Sequence, residues 1–299
     1  MIAGRPSASW RTLITGLIAL TLIAASCGGD DSDDTATAGD DASSSEVLRI
    51  GAIPDQEPER LQRTYGLLSD YLSESLGVTV EYIPVTDYQG AVSAFRVGDL
   101  DLAWFGALTG VQARLEVDGA QAVAQRDIDT EFTSVFIART DAGIEPFDDV
   151  DGLAVAAGRT LTFGSESSTS GRLMPQSFLN QAGVDLDDLS GAPGFSGSHD
   201  ATIEVVTAGT FEIGALSSEV WDARVAEGVV DTDTVIEIFR TPAYVNYHWV
   251  SQPALGDRFG AGFDAEVLAA LMALAPDDPE QAEILELFGA ESFIPTESD

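Results

Sequence analysis

Phe163-Gly164-Ser165-Glu166-Ser167-Ser168-Thr169-Ser170-Gly171-Arg172-Leu173-Met174-Pro175 is the stretch on which the reading of this chain turns. A strand-like Leu161-Thr162-Phe163 runs into a hydroxyl-rich loop, and a helical segment over 171–181 follows. The first N–H groups of a helix have no partner within it, and Ser or Thr at its start sets hydroxyls beside them. With the positive end of the helix dipole, these groups form a ready anion site. A lone Ser or Thr there is an ordinary cap. Three hydroxyls in series call for more.

Outward from this loop the chain alternates between strand and helix patterns. Residues 47–53 alternate in polarity up to Pro54, and 61–76 carries apolar residues at helical spacing (Leu61, Tyr65, Leu68, Leu72, Leu76) up to Gly77. Strands follow at 78–83, 100–104 and 120–125, with helices at 88–97 and 108–117 between them, and a further strand at 132–139. Beyond Phe163 a second series runs through helices at 171–182, 200–208 and 217–226 and strands at 211–216, 235–240 and 244–250. Helices at 265–274 and 279–287 close the chain. Such alternation with short loops predicts parallel sheets covered on both faces, an α/β fold. About 250 residues in two series fit two lobes better than one domain.

Four motifs carry a resemblance to a known family. Besides Ser168-Thr169-Ser170-Gly171, the chain has Asp87-Tyr88-Gln89-Gly90, then Asp101-Leu102-Ala103-Trp104-Phe105-Gly106, then Gly197-Ser198-His199-Asp200. In this order and spacing they resemble the solute-binding proteins of phosphonate, phosphite and phosphate ABC importers, over nearly the whole chain after the tether. Ile53-Pro54-Asp55, Gln125-Arg126 and Phe293-Ile294-Pro295-Thr296 look most like a subgroup assigned to selenate uptake. The resemblance implies a two-lobed, hinged periplasmic-binding fold of type II, with strands crossing between lobes near 132–140 and 240–250. Lobe one is then 47–140 with 245–299, and lobe two 141–244.

Ligands of open α/β sheets bind beyond the carboxyl ends of strands. That rule brings Pro54-Asp55, Tyr88 and Phe105-Gly106 from lobe one to the cleft, and Ser168, Thr169, Ser170 and His199 from lobe two. Phe105 offers no hydrogen bond and is expected to pack the pocket wall, while Trp104 and Trp221 belong to the core. In aminoalkylphosphonate binders of this family two acids hold the ligand's ammonium group. One aligns at Glu219 and the other near Tyr247, so half of that ammonium site is missing. A cation held by half a site is poorly compensated on leaving water, which favours a small tetrahedral oxyanion without an amine. Glu219 tolerates such an anion only if the ligand brings a proton, or if the side chain points away.

The N-terminus predicts export. Arg5 and Arg11 precede a 13-residue apolar run at 13–25, too short for a membrane span of roughly 20 residues, so 1–26 reads as a signal peptide. Small residues before the single cysteine read as a lipoprotein cleavage site with Cys27 lipidated, although Ala24 stands where Leu is usual. The 27–46 segment after it holds seven acids and no large apolar residue, a flexible tether. The expected location is extracytoplasmic, anchored to the membrane through that lipid, as a monomer.

The net charge is −36, and all 14 basic residues are Arg. Nucleic-acid binding needs a basic footprint, which excludes it. That charge repels an anion at long range, but salt screens it beyond about 8 Å, so local donors must set affinity. An enzyme finds little support: Gly-x-Ser-x-Gly is absent, with Glu166 standing two after Gly164, and without Lys no Ser–Lys pair exists. His199 and His248 are too few for a His-based metal site, and Asp148-Asp149-Val150-Asp151-Gly152 lacks the glutamate of a calcium loop. No cofactor or metal is expected. The partners implied are a small oxyanion and the permease and ATPase of an importer. The alternative is a ligand sensor for a histidine kinase, since related arsenite-sensing proteins share this fold.

Overall fold

The computed structural model describes residues 46–253 and 255–296; the signal segment, Cys27 and all of the tether but Glu46 lie outside them. The first series is β1 (Val47–Ala52), α1 (Pro58–Leu76), β2 (Thr79–Tyr82), α2 (Tyr88–Arg96), β3 (Leu102–Phe105), α3 (Ala107–Glu116) and β4 (Gln121–Arg126). The second is β5 (Ser134–Arg139), β6 (Leu161–Phe163), α4 (Met174–Gln181), β7 (Gly194–Phe195), α5 (His199–Thr207), β8 (Ile213–Ser217), α6 (Ser218–Ala226) and β9 (Val235–Arg240). The chain returns through β10 (His248–Ser251), α7 (Leu255–Phe259), α8 (Phe263–Met272), α9 (Pro279–Phe288) and β11 (Phe293–Pro295).

Two sheets result, ordered β11-β4-β10-β3-β1-β2 and β7-β6-β8-β5-β9. The architecture is α/β, but neither sheet is purely parallel. β1 runs parallel to β2 and β3, and β6 parallel to β7 and β8. β10 runs against β3 and β4, and β5 against β8 and β9. The reason is topological: a strand built through a helical crossover runs with its neighbour, whereas one arriving from the other lobe enters from the opposite end. The crossing also lies earlier than the 140/141 boundary read from sequence, because β5 bonds along its length into the second sheet. The connections between lobes are 127–133 and 241–247, where Phe132 and Tyr244 exchange backbone bonds of 2.9 and 2.8 Å.

Local chemistry explains the elements that hold the cleft. α1 starts with Pro58 and stops at Gly77 in the left-handed region (φ 67°), a conformation that costs glycine little. Leu61, Tyr65, Leu68 and Leu72 on its one face are all buried. α2 is capped by Asp87, whose carboxylate accepts the Gly90 N–H at 2.7 Å, so that Tyr88 turns inward. Ser198 and Ser217 cap α5 and α6 in the same way. Trp104 and Trp249 sit in the core of lobe one, and Trp221 in that of lobe two.

Candidate functional site

The loop after β6 leaves its strand as a wide turn. Thr169–Leu173 forms a π-helical turn, and the Leu173 N–H reaches back to the Ser168 carbonyl at 2.9 Å before α4 begins. Such turns recur at functional sites because they re-aim side chains that a regular helix would stagger. Ser168 caps it, accepting the Gly171 N–H at 2.9 Å. A Cβ on Gly171 would stand 3.0 Å from the Ser168 hydroxyl and 3.2 Å from the His199 ring. Glycine there lets the loop and the histidine close on one another.

His199 opens α5 fully buried. Its Nδ1 accepts the Ser217 N–H at 3.3 Å, which places the ring hydrogen on Nε2. Nε2 lies 3.4 Å from the Ser170 hydroxyl and 3.2 Å from that of Tyr247. Burial pushes the imidazole down to about 4, against a smaller opposing pull from Asp200, so the ring is a neutral donor at physiological pH.

Lobe one faces this group closely. The Leu108 N–H at the start of α3 donates to the Thr169 hydroxyl at 2.8 Å, and the Ala107 N–H to Asn246 Oδ1 at 3.3 Å. A Cβ on Gly106 would meet Thr169 Oγ1 at 3.2 Å. The His199 N–H donates to the Asp55 carbonyl at 2.8 Å, and Gln89 Nε2 to the Ser167 hydroxyl at 2.6 Å. Tyr88 is 2 % exposed, and its hydroxyl, which lies toward Ser168, has no partner in hydrogen-bond geometry. A buried phenol hydroxyl without a partner is costly, which marks it as a donor waiting for an acceptor.

The structure thus brings Tyr88, Gly106, Ser168, Thr169, Ser170, His199 and Tyr247 together and leaves two of the residues read from sequence elsewhere. Phe105 is wholly buried, edge-to-face with Phe95 at 5.8 Å in the core of lobe one. Glu219 turns to Arg126 (3.7 Å) and to Gly289 rather than to the hydroxyl loop. Burial raises its carboxyl above the ordinary range, and Arg126 opposes that shift.

Arg126, read from sequence only as part of the Gln125-Arg126 subgroup segment and given no place at the cleft, stands close behind it. It is 3 % exposed and gripped by Asp129, with Nε and Nη2 each 2.8 Å from a carboxylate oxygen. Its Nη1 donates to the Phe288 carbonyl at 2.5 Å. The guanidinium also lies over the rings of Tyr247, Trp104 and Phe132 at 4.9, 5.5 and 5.6 Å. Burial works against its charge, but Asp129 and Glu219 hold it above its usual value. Asp55, three residues beyond β1, is 5 % exposed. Asp55, Arg126, Glu219 and Tyr247 line a 20 Å³ cavity behind the cleft. From sequence, Pro54-Asp55 reads to the cleft and Gln125-Arg126 only as a subgroup mark; Asp129 is three residues from Arg126, but Glu219 and the Phe288 carbonyl lie far along the chain.

The cleft can do one thing well, which is to donate several hydrogen bonds from both lobes to a small anion. Among the described residues no group of three His, Cys, Asp or Glu is placed to hold a metal. A family model, the phosphonate ABC transporter periplasmic substrate-binding protein, matches residues 50–299. The probable ABC transporter phosphite-binding protein PhnD1 of Prochlorococcus marinus (strain MIT 9301) is 46 % identical over 257 residues, 86 % of either chain. The phosphate-import protein PhnD of Mycolicibacterium smegmatis is 28 % identical, over 83 % of this chain and 75 % of its own. The solved structure of PhnD1 from Prochlorococcus marinus in complex with methylphosphonate superposes with a TM-score of 0.83 at 46 % identity, covering 84 % of this chain and 93 % of that one. The fold is that of type II periplasmic binding proteins, and the chain belongs to the phosphonate-binding family of ABC-transporter substrate-binding proteins, which are receptors for transport and not enzymes.

Proposed function

We propose that this protein is the lipid-anchored, extracytoplasmic receptor of an importer for a small tetrahedral phosphorus oxyanion: phosphite, phosphate or an alkylphosphonate without an amine. The observation that carries the reading is the meeting of the Ser168-Thr169-Ser170 turn, neutral His199 and the unpartnered Tyr88 hydroxyl, which supplies donors from both lobes and no fixed cation for the ligand. Neither lobe encloses an anion alone, so binding requires the lobes to approach, as in hinged binding proteins. The absence of a second acid at Tyr247 argues against an aminoalkyl substituent. The names of the relatives point to the same class of ligand.

Calorimetric titration with phosphite, phosphate, methylphosphonate and selenate tests this. At least one phosphorus oxyanion is expected to bind and to compact the protein in small-angle scattering. Binding of none of them removes the transport-receptor reading. Selenate is the competing ligand, favoured by the 53–55, 125–126 and 293–296 segments, of which the last two pair as neighbouring strands. The lipid anchor is tested separately: Cys27→Ser is expected to release the protein from the membrane fraction, and unchanged partitioning would exclude it.

A further inference from the structure

α3 begins after Gly106, which has no side chain with which to cap the helix. The first-turn N–H groups of α3 find their oxygens elsewhere in the fold. Leu108 donates to Thr169 of the hydroxyl turn, and Ala107 donates to Oδ1 of Asn246, on the second crossing, at 3.3 Å. Gly106 sets both acceptors in one corner of the cleft. A Cβ on it would stand 3.2 Å from Thr169 Oγ1 and 3.5 Å from Asn246 Oδ1.

Asn246 is 1 % exposed, and its backbone is held as well, because its N–H donates to the Asp129 carbonyl of the first crossing at 3.0 Å. The bond from Ala107 fixes which end of the amide is which, since an N–H can donate only to the oxygen. The other end, Nδ2, carries two hydrogens and has no hydrogen-bond partner among the described residues. A buried amide donor left in that state is costly. The same condition elsewhere in lobe one has a different setting. His248 Nε2 lies over Gly110, one turn further along α3, where a Cβ would come within 2.3 Å of it. Trp249 Nε1 belongs to the aromatic core. Asn246, like Tyr88, borders the hydroxyl loop.

Resting on the oxyanion-receptor reading above, we propose that Asn246 is a ligand-binding residue: Nδ2 donates to an oxygen of the bound oxyanion while Oδ1 holds the start of α3. The ligand then lies at the N-terminal end of α3, where the helix dipole favours negative charge. A neutral amide has no proton to gain or lose near pH 7, so this donor serves phosphite, phosphate and alkylphosphonates in either ionisation state. It also ties the ligand to the crossing strand on which the lobes turn.

Capping and binding predict opposite results for one substitution. Asn246→Asp keeps the shape and the oxygen that accepts from Ala107, and a carboxylate at a helix N-terminus is a good cap. It replaces the donor with an acceptor that repels an anion. Calorimetry is expected to show phosphite binding about a hundredfold or more weaker in Asn246→Asp, with the melting temperature of the ligand-free protein unchanged or raised. Phosphite affinity within about threefold of wild type would show a cap alone and overturn the proposal. A second measurement needs no variant to fold. The chain has two asparagines, Asn180 and Asn246, so ¹⁵N labelling of asparagine side chains yields two amide pairs. Titration of the wild type with phosphite is expected to shift the Asn246 pair and slow its hydrogen exchange, while the exposed Asn180 pair stays in place. An Asn246 pair unmoved at saturating phosphite also overturns the proposal. If the wild type binds no oxyanion, the receptor reading itself fails, an outcome distinct from either.

Discussion

At the scale of single residues, His199 and Asp55 touch through the His199 N–H and titrate in overlapping ranges with opposite consequences. The folded imidazole, at about 4, lies below the unfolded value near 6.5. Between those values the unfolded chain binds the proton first, so the stability associated with His199 is complete above about pH 6.5 and falls as pH drops toward 4. The folded Asp55 carboxyl, at about 7, lies above its unfolded value of 3.8. There the folded state binds the proton first, so stability falls as pH rises from 4 toward 7. In the closed form the two slopes offset each other. With a saturating ligand present, Asp55→Asn is therefore expected to steepen the loss of melting temperature between pH 6.5 and 4.5, and His199→Gln to make the melting temperature rise over that interval. Parallel profiles for wild type and both variants would show that neither group is buried as described.

At the scale of elements, the hydroxyl turn and the start of α3 are one unit divided between two lobes. The Leu108 N–H is one of the first-turn donors that α3 cannot use itself, and Thr169 supplies its acceptor. Thr169→Val keeps the volume and leaves that N–H without a partner. An unsatisfied buried donor costs about 1–3 kcal/mol, so ligand binding is expected to weaken about tenfold or more. The melting temperature of the ligand-free protein should barely change, since the bond exists only when the lobes meet. Calorimetry showing unchanged affinity would take Thr169 out of the site. The sequence shows this turn clearly, because three hydroxyls before a helix form a local pattern; the α1 face is as clear, because Leu61, Tyr65, Leu68 and Leu72 repeat at helical spacing. What it hides is long-range. The ion pair of Arg126 with Glu219 joins β4 to α6, and the cavity that Asp55 and Tyr247 both line joins the turn after β1 to the second crossing. Spacing carries no trace of either. The entry of β5 into the second sheet was equally hidden, since an apolar strand states its burial but not its neighbour. β11 has three residues, too few for a period to register.

At the scale of the whole molecule, the lobes are also joined outside the anion cleft. The Glu57 N–H of lobe one donates to Asp200 Oδ2 at 2.9 Å, and Asp200 is itself held by Arg224, with Nε at 2.6 Å and Nη2 at 3.0 Å. Beside it Arg60 on α1 meets Glu227 after α6 at 2.8 Å. These contacts join the lobes without involving the hydroxyl turn, so in the proposed receptor they are expected to act on the balance between open and closed forms. A receptor whose competent form is a fraction of the population binds more weakly by that fraction. Exposed ion pairs contribute about 0–1 kcal/mol, and Arg60 and Glu227 are 19 % and 39 % exposed. Arg60→Gln is therefore expected to weaken every ligand by one common factor, up to about fivefold, and to leave the order of preference among oxyanions unchanged. The factor should shrink as salt rises, because screening already weakens the pair in the wild type. A change in phosphite affinity without an equal change in methylphosphonate affinity would show that Arg60 acts on the ligand rather than on closure, and the latch reading would be lost.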